Sequence, residues 1–311
     1  MAAPPARILV IKLSALGDFV LSIASFQAIR AHHSGAVITL LTSAPYRAMA
    51  EASGCFDTVW VDSRPAWWQP GAWLALRRRL AGGRFERVYD LQRSDRSGSY
   101  FRLLPSPKPE WVGVVAGCSH RYVQPRDRVL HIADREAQQL AIAGVPHPGL
   151  PDLGFLAAEV ADLDLPTSFA LLVPGGSAHR PGKRWPAEHY AALARHLLER
   201  GTVPLLLGAE AERPEIAAIA AAAPGARDLC GRTSLPALAE LGRRAALAVG
   251  NDTGPMHIVA AAGCPSLVLY SRESDPAKIA PRGPSVATLR RDDLKDLSVE
   301  EVVAALGGLP A

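Results

Sequence analysis

The run Ala245-Ala246-Leu247-Ala248-Val249 passes directly into Gly250-Asn251-Asp252-Thr253-Gly254-Pro255-Met256-His257, and small apolar residues follow to Ala262. Five apolar residues in a row read as a buried strand, and the segment from Ile258 has helical character. Asp252 or Thr253 is placed to cap that helix, and Pro255 suits its first turn, where a missing N–H is harmless. The N-terminus repeats the plan. Residues 7–13 (RILVIKL) form a β-prone run, Ser14-Ala15-Leu16-Gly17-Asp18 makes the turn, and residues 19–30 carry helical apolar spacing. A strand continuous in apolar residues must be covered on both faces. Strand, glycine turn and helix in that order therefore demand a parallel sheet with helices packed on it.

The same alternation runs through the chain. Strands are expected at 37–41, 58–61, 87–91 and 111–115, with helices at 45–52, 73–80 and 131–143. A second series has strands at 169–173, 203–207, 227–230, 245–249 and 266–270. Its helices fall at 186–200, 210–223 and 235–242, and Ser298-Val299-Glu300-Glu301 is a capping box for a last helix at 299–306. This is an α/β chain built from βαβ units. Its 311 residues suit two domains, and no residue-level repeat relates the halves.

Composition narrows the classes. Hydrophobic residues are 49% and charged residues 21%, enough for a large core, and no apolar run is long enough to span a membrane. The first residues lack the layout of a secretory signal. Cys55, Cys118, Cys230 and Cys264 form no CxxC pair, which argues against structural zinc or a disulfide framework and fits a reducing cytoplasm. The net charge of +4 is uneven: between Arg64 and Arg135 fourteen Lys/Arg face six Asp/Glu. Such a region favours an anionic partner, or is simply a solvated basic surface. It carries no recognisable nucleic-acid module, so nucleic acid is not expected.

In open α/β sheets, ligands sit beyond the carboxyl ends of strands. The loop before Asp18 is neither a P-loop nor a dinucleotide fingerprint. Asp18 is placed to act as a general base on a hydroxyl, or to cap a helix. The stretch from Pro174 to Pro186 combines Gly175 and Gly176, which admit a ligand close to the backbone, with Lys183, a mobile charge suited to phosphate. A surface loop with routine basic residues is the plainer reading. Glu210 and Glu212 could hold ribose hydroxyls or merely decorate a helix start. The turn at 250–254 offers free N–H groups and a helix dipole to an anion, or is an ordinary capped turn.

Three of these pieces in register resemble glycosyltransferase family 9, the lipopolysaccharide heptosyltransferases. They are Ile8-Leu9-Val10-Ile11-Lys12-Leu13-Ser14-Ala15-Leu16-Gly17-Asp18, then Lys183-Arg184-Trp185-Pro186 after a Pro-Gly turn, then Asn251 to His257 with Ala260-Ala261-Ala262-Gly263-Cys264-Pro265. The resemblance spans nearly the whole chain. It implies a GT-B architecture, with two Rossmann-like domains whose parallel sheets face a central cleft. The acceptor-binding domain would be 1–165 and the nucleotide-sugar domain 166–297, with helix 298–311 packing back on the first. It implies inverting, metal-independent transfer, without a cofactor, from ADP-L-glycero-D-manno-heptose to the growing inner core of lipopolysaccharide. Asp18 would be the base. Lys183 would neutralise the leaving diphosphate, which Thr253 and Gly254 would bind through backbone N–H groups. Asp252 would hold sugar hydroxyls with support from His257. Glu212 would contact ribose, Thr233 would lie near adenine, and Ser177 would be a further donor contact. The loop Ala178-His179-Arg180-Pro181-Gly182 departs from the hydroxyl-rich version of some heptosyltransferases. Transfer of another nucleotide-activated sugar is therefore the alternative, and a non-catalytic nucleotide-sugar or polyanion binder is a second.

The segment 67–79 sets Trp67, Trp68 and Trp73 beside Arg77, Arg78 and Arg79. It suits an anionic membrane surface, as an enzyme with a lipid-linked acceptor at the inner face of the inner membrane would need, or a core helix with tryptophans turned inward.

Overall fold

The computed structural model describes residues 4–176 and 180–309. The chain divides into two compact units, residues 1–149 and 150–311. The first unit runs β1 (Arg7–Ile11), α1 (Leu16–His32), β2 (Val37–Thr42), α2 (Arg47–Ala52), β3 (Thr58–Val61), α3 (Pro70–Gly82), β4 (Arg87–Asp90), α4 (Asp95–Leu103), β5 (Glu110–Gly113), β6 (His120–Arg121) and α5 (Ile132–Ile142). Its six parallel strands lie in the order β3-β2-β1-β4-β5-β6.

The second unit runs β7 (Phe169–Val173), α6 (Ala187–Glu199), β8 (Val203–Leu206), α7 (Arg213–Ala222), β9 (Arg227–Asp228), α8 (Leu235–Arg244), β10 (Leu247–Asn251), α9 (Gly254–Ala261), β11 (Ser266–Tyr270), α10 (Pro276–Ile279), β12 (Val286–Arg290) and α11 (Val299–Leu306). Its order, β12-β11-β10-β7-β8-β9, repeats the first sheet strand for strand, and it too is parallel throughout. Both are doubly wound sheets. Each has one switch point, where the winding reverses: between β1 and β4 in the first, between β7 and β10 in the second.

The runs read as central strands are buried as a parallel sheet requires. Ile8 to Ile11 and all of β7 are inside. In the second unit Trp185 is fully enclosed against Tyr190 and the apolar faces of α6 and α7, and its indole N–H donates to Leu297 O at 2.8 Å. A buried tryptophan of roughly 200 Å² contributes on the order of 5 kcal/mol before entropy is counted. Val302 of α11 joins the same core, and α11 packs on α6 and β12 within its own unit. The division between units falls before the expected one at Leu165/Pro166. Leu153, Leu156, Val160 and Leu163 are buried, and Arg243 of α8 donates to the carbonyls of Leu153 and Leu156 at 2.8 and 2.7 Å. The segment 150–165 is thereby tied to the second unit. No helix among the described residues is long and apolar enough to cross a membrane.

Candidate active site

The second unit holds a cavity of about 630 Å³ at its switch point. Its lining comes from the ends of β7, β8 and β10, and includes Gly175, Gly176, Glu212, Thr233, Asp252, Thr253 and Gly254. Apolar walls come from Val173, Leu207, Leu235, Leu238 and Pro255. Glycine is needed where the backbone crowds this site. A Cβ on Gly175 would come within 3.0 Å of Glu212 Cγ, and one on Gly250 within 2.6 Å of Met256 Sδ and 2.8 Å of Val173 Cβ.

Thr253 is the N-cap of α9, with Gly254 and Pro255 in the first turn. The Thr253 side chain accepts no capping bond, and its Oγ1 is buried with no hydrogen-bond partner among the described residues. The first-turn N–H groups of a helix have no intrahelical acceptor, so this end offers donors and a positive dipole to an anion. Asp252, just ahead, accepts from Lys183 Nζ at 2.6 Å, and both side chains are largely buried. His257 is buried within the first turn of α9. The Tyr270 hydroxyl at the end of β11 is buried without a partner. Burial, and then the Asp252 charge, push its pKa well up.

Asn251 carries more of this arrangement than its place in the motif suggested. Its side-chain oxygen accepts from Trp185 N and Tyr190 Oη, both at 3.1 Å, and its amide donates to Pro174 O at 2.6 Å and Gly175 O at 3.2 Å. One buried amide thus joins β10, the turn after β7 and the loop that carries Lys183. The sequence signal was an asparagine ending an apolar strand, where only a full set of partners makes burial tolerable.

Glu212 reaches the cavity wall, but its Oε2 already accepts from Ala209 N at 2.8 Å. Glu210 is exposed and pairs with Arg213 at 2.6 Å, which holds its carboxyl below the usual range. The expected helix at 210–223 starts as a 3-10 turn, Glu210–Glu212, before α7. Ser177 lies outside the described residues.

In the first unit Asp18 sits in the first turn of α1, not at its cap, which is Ala15. It is half-buried, and its carboxylate makes no hydrogen bond among the described residues. Burial, and then the Asp18 charge, push the neighbouring Tyr46 hydroxyl up. Beneath it lies an unanticipated polar knot. Ser22 Oγ bonds both Asp18 O and Glu136 Oε1 at 2.8 Å. Glu136 also accepts from Ser25 Oγ and Lys12 Nζ at 2.9 Å. Lys12 and Glu136 are almost wholly buried. A buried pair survives desolvation only with such extra hydrogen bonds, and this one fixes α1 and α5 to β1. Among the described residues no three His, Cys, Asp or Glu side chains gather as metal ligands.

A family model described as glycosyltransferase family 9 (heptosyltransferase) matches residues 73–303. Lipooligosaccharide heptosyltransferase 2 of Haemophilus influenzae is 36% identical over 104 residues, 32% of this chain and 30% of that protein, so that match spans under a third of the relative. Lipopolysaccharide heptosyltransferase 2 of Salmonella typhimurium is 27% identical over 295 residues, 86% of this chain and 83% of that one. The solved Escherichia coli heptosyltransferase WaaC with ADP shares the fold, with a TM-score of 0.78 at 20% identity over 97% of this chain and 99% of the other. The two Rossmann-like units are of the GT-B class, and the chain belongs to glycosyltransferase family 9.

Proposed function

We propose that this protein is an inverting, metal-independent transferase that moves heptose from ADP-L-glycero-D-manno-heptose to the inner core of lipopolysaccharide. The observation that supports it most is the cavity in the second unit, where the open end of α9 stands beside the buried Lys183–Asp252 pair. The acceptor hydroxyl attacks the anomeric carbon as Asp18 takes its proton. The bond from that carbon to the phosphate oxygen breaks, and its electron pair leaves with ADP. Charge on the departing diphosphate is met by Lys183 and the Thr253 and Gly254 N–H groups, fixed donors in a partly dry site. Asp252 and His257 orient the sugar. Glu212 and Thr233 hold the nucleoside, and Ser177 completes the donor contacts. The WaaC structure was solved with ADP, which favours adenine over other bases. The acceptor is lipid-linked and anionic, and the protein works from the cytoplasm at the inner membrane surface through its exposed tryptophans.

The test combines ligand stabilisation with one substitution. ADP should raise the melting temperature more than UDP, GDP or CMP, and a preference for another nucleotide would redirect the donor. Asp18→Asn should retain ADP binding yet lower kcat by about two decades or more, the usual size of a general-base contribution. Turnover within a factor of a few of wild type would remove Asp18 from the mechanism.

A further inference from the structure

Asp18 projects from a turn that does not hold itself in place. Ala15, the N-cap of α1, makes no side-chain capping bond, so the first N–H groups of the helix have no local cap. Side chains from distant parts of the first unit supply the restraint instead. Ahead of the turn, Gln92 Oε1, just past β4, accepts from Leu13 N at 2.7 Å and Ser14 N at 3.2 Å. Ser43 Oγ donates to Leu13 O at 2.6 Å. Behind the turn, Ser22 Oγ lies 2.8 Å from both the Asp18 carbonyl oxygen and Glu136 Oε1. A serine has one hydroxyl proton. Ser22 shares it between the two acceptors and so couples the backbone of Asp18 to the Glu136 carboxylate.

Glu136 is itself held from two further sides. Its Oε1 accepts from Lys12 Nζ and its Oε2 from Ser25 Oγ, both at 2.9 Å, and Lys12 also reaches Leu91 O at 3.4 Å. Lys12, Ser22, Ser25 and Glu136 are all buried. Stability alone does not call for this arrangement. Taking a lysine and a carboxylate out of water costs several kcal/mol for each, and a well-packed apolar pair in their place is often as stable or more so. What the ionic pair adds is direction. It fixes the oxygen against which Ser22, and through Ser22 the Asp18 turn, is set.

We propose that Glu136 is a positioning residue for Asp18: seated by Lys12 and Ser25, it sets the Asp18 carbonyl through Ser22 and so the direction in which the Asp18 carboxylate leaves α1. The inference rests on the glycosyl-transfer reading and deepens it. The need is geometric, because a group displaced by about 1 Å from its reacting partner can lose about a hundredfold in rate.

Two double substitutions separate positioning from stability. Lys12→Met/Glu136→Leu removes both charges and roughly keeps the volume, so it should melt within about 4 °C of wild type. It should nevertheless lower kcat at least about tenfold, with both KM values and ADP affinity within about twofold. Lys12→Met/Glu136→Gln is also uncharged, but the glutamine can still accept from Ser22 Oγ and donate to Ser25 Oγ. It should turn over at least about fivefold faster than the leucine variant. A purely structural pair would instead change the melting temperature and leave kcat alone. Ser22→Ala cuts the link while sparing the Lys12–Glu136 pair, and should lower kcat as the leucine variant does; it decides the matter if the double variants do not fold. On the Asp18→Asn background Ser22→Ala should lower kcat no further, since it acts through that carboxylate. If wild type transfers no heptose, the glycosyl-transfer reading fails by itself, and amide exchange decides the positioning: residues 16–22 should exchange about tenfold faster in Ser22→Ala, with β1 unchanged. Turnover and exchange equal to wild type in Ser22→Ala would overturn the proposal.

Discussion

Asp90 ends β4 with its carboxyl wholly inside the first unit, one oxygen bonded to Arg93 N and the other without a partner. Burial is the largest influence and raises its pKa from 3.8 to about 6, against the opposing pull of the Arg93 and Gln92 N–H groups, the Ser97 hydroxyl and the Arg93 charge. The folded protein therefore holds this proton more tightly than the unfolded chain. The stability so gained is complete below pH 4 and is lost as pH rises through about 6. A shift of this size corresponds to on the order of 3 kcal/mol at 1.36 kcal/mol per unit. Asp90→Asn cannot titrate, so it should lose that dependence. Urea unfolding of both proteins at pH 5 and pH 8 should show wild type falling relative to the variant at the higher pH, and parallel curves would contradict the assignment. None of this was legible from the sequence, where Asp90 is one carboxylate in a β-prone run. Lys12 and Glu136 were equally hidden, since their bond joins residues 124 positions apart. The positions of Asp18 and Asp252 just beyond strand ends were legible, because that is local information.

Among the elements, β10 and α9 are held in relation to the turn after β7 by Asn251, which uses all its hydrogen-bonding capacity. Asn251→Ala would strand a buried N–H and two carbonyls, and leave the Tyr190 hydroxyl only its 3.3 Å bond to Val173 O. Each unsatisfied buried group costs roughly 1–3 kcal/mol, so the melting temperature should fall by about 6 °C or more. ADP should bind more weakly too, because Asp252 and Gly175 lose their common anchor. Ser94→Ala, which removes an N-cap from α4, should cost only about 1 kcal/mol. Equal losses in calorimetry for the two variants would show that Asn251 is not the tie described. The same contrast explains which elements the sequence revealed. α11 could be bounded to the residue because its Ser298–Glu301 capping box is local. α4 was missed because DRSGSYFRL has poor helix propensity. It forms through the Ser94–Ser97 box and the burial of Tyr100 and Phe101. β12 was missed because it is a half-exposed edge, and β6 because it is two residues long. Neither has the apolar density that marks a central strand.

At the scale of the molecule, the uneven charge acquires a location. Residues 64–84 hold five arginines and no acid. The tryptophans split between the two roles open to them. Trp73 turns inward, donating to Ala66 O at 3.0 Å and packing edge-on against Tyr100. Trp67 and Trp68 stay 84% and 65% exposed, in edge-to-face contact with each other, and Leu74 on α3 is 42% exposed. Exposed indoles are costly in water, and together with arginines that have no acidic partner among the described residues they are favoured at a lipid headgroup layer, where the rings sit at the interface and each Arg gains about 1 kcal/mol near anionic lipid. A lipid-linked acceptor makes such a surface useful, since it confines enzyme and substrate to the same plane. The protein should co-sediment with vesicles containing phosphatidylglycerol and much less with pure phosphatidylcholine, and added salt should release it. Because Trp67 and Trp68 contribute little to the core, Trp67→Ala/Trp68→Ala should melt as wild type does yet bind the anionic vesicles about tenfold or more weakly. Arg77→Glu/Arg78→Glu should lose the preference for anionic lipid. Vesicle binding that survives both double substitutions would remove the tryptophan–arginine patch as the membrane contact.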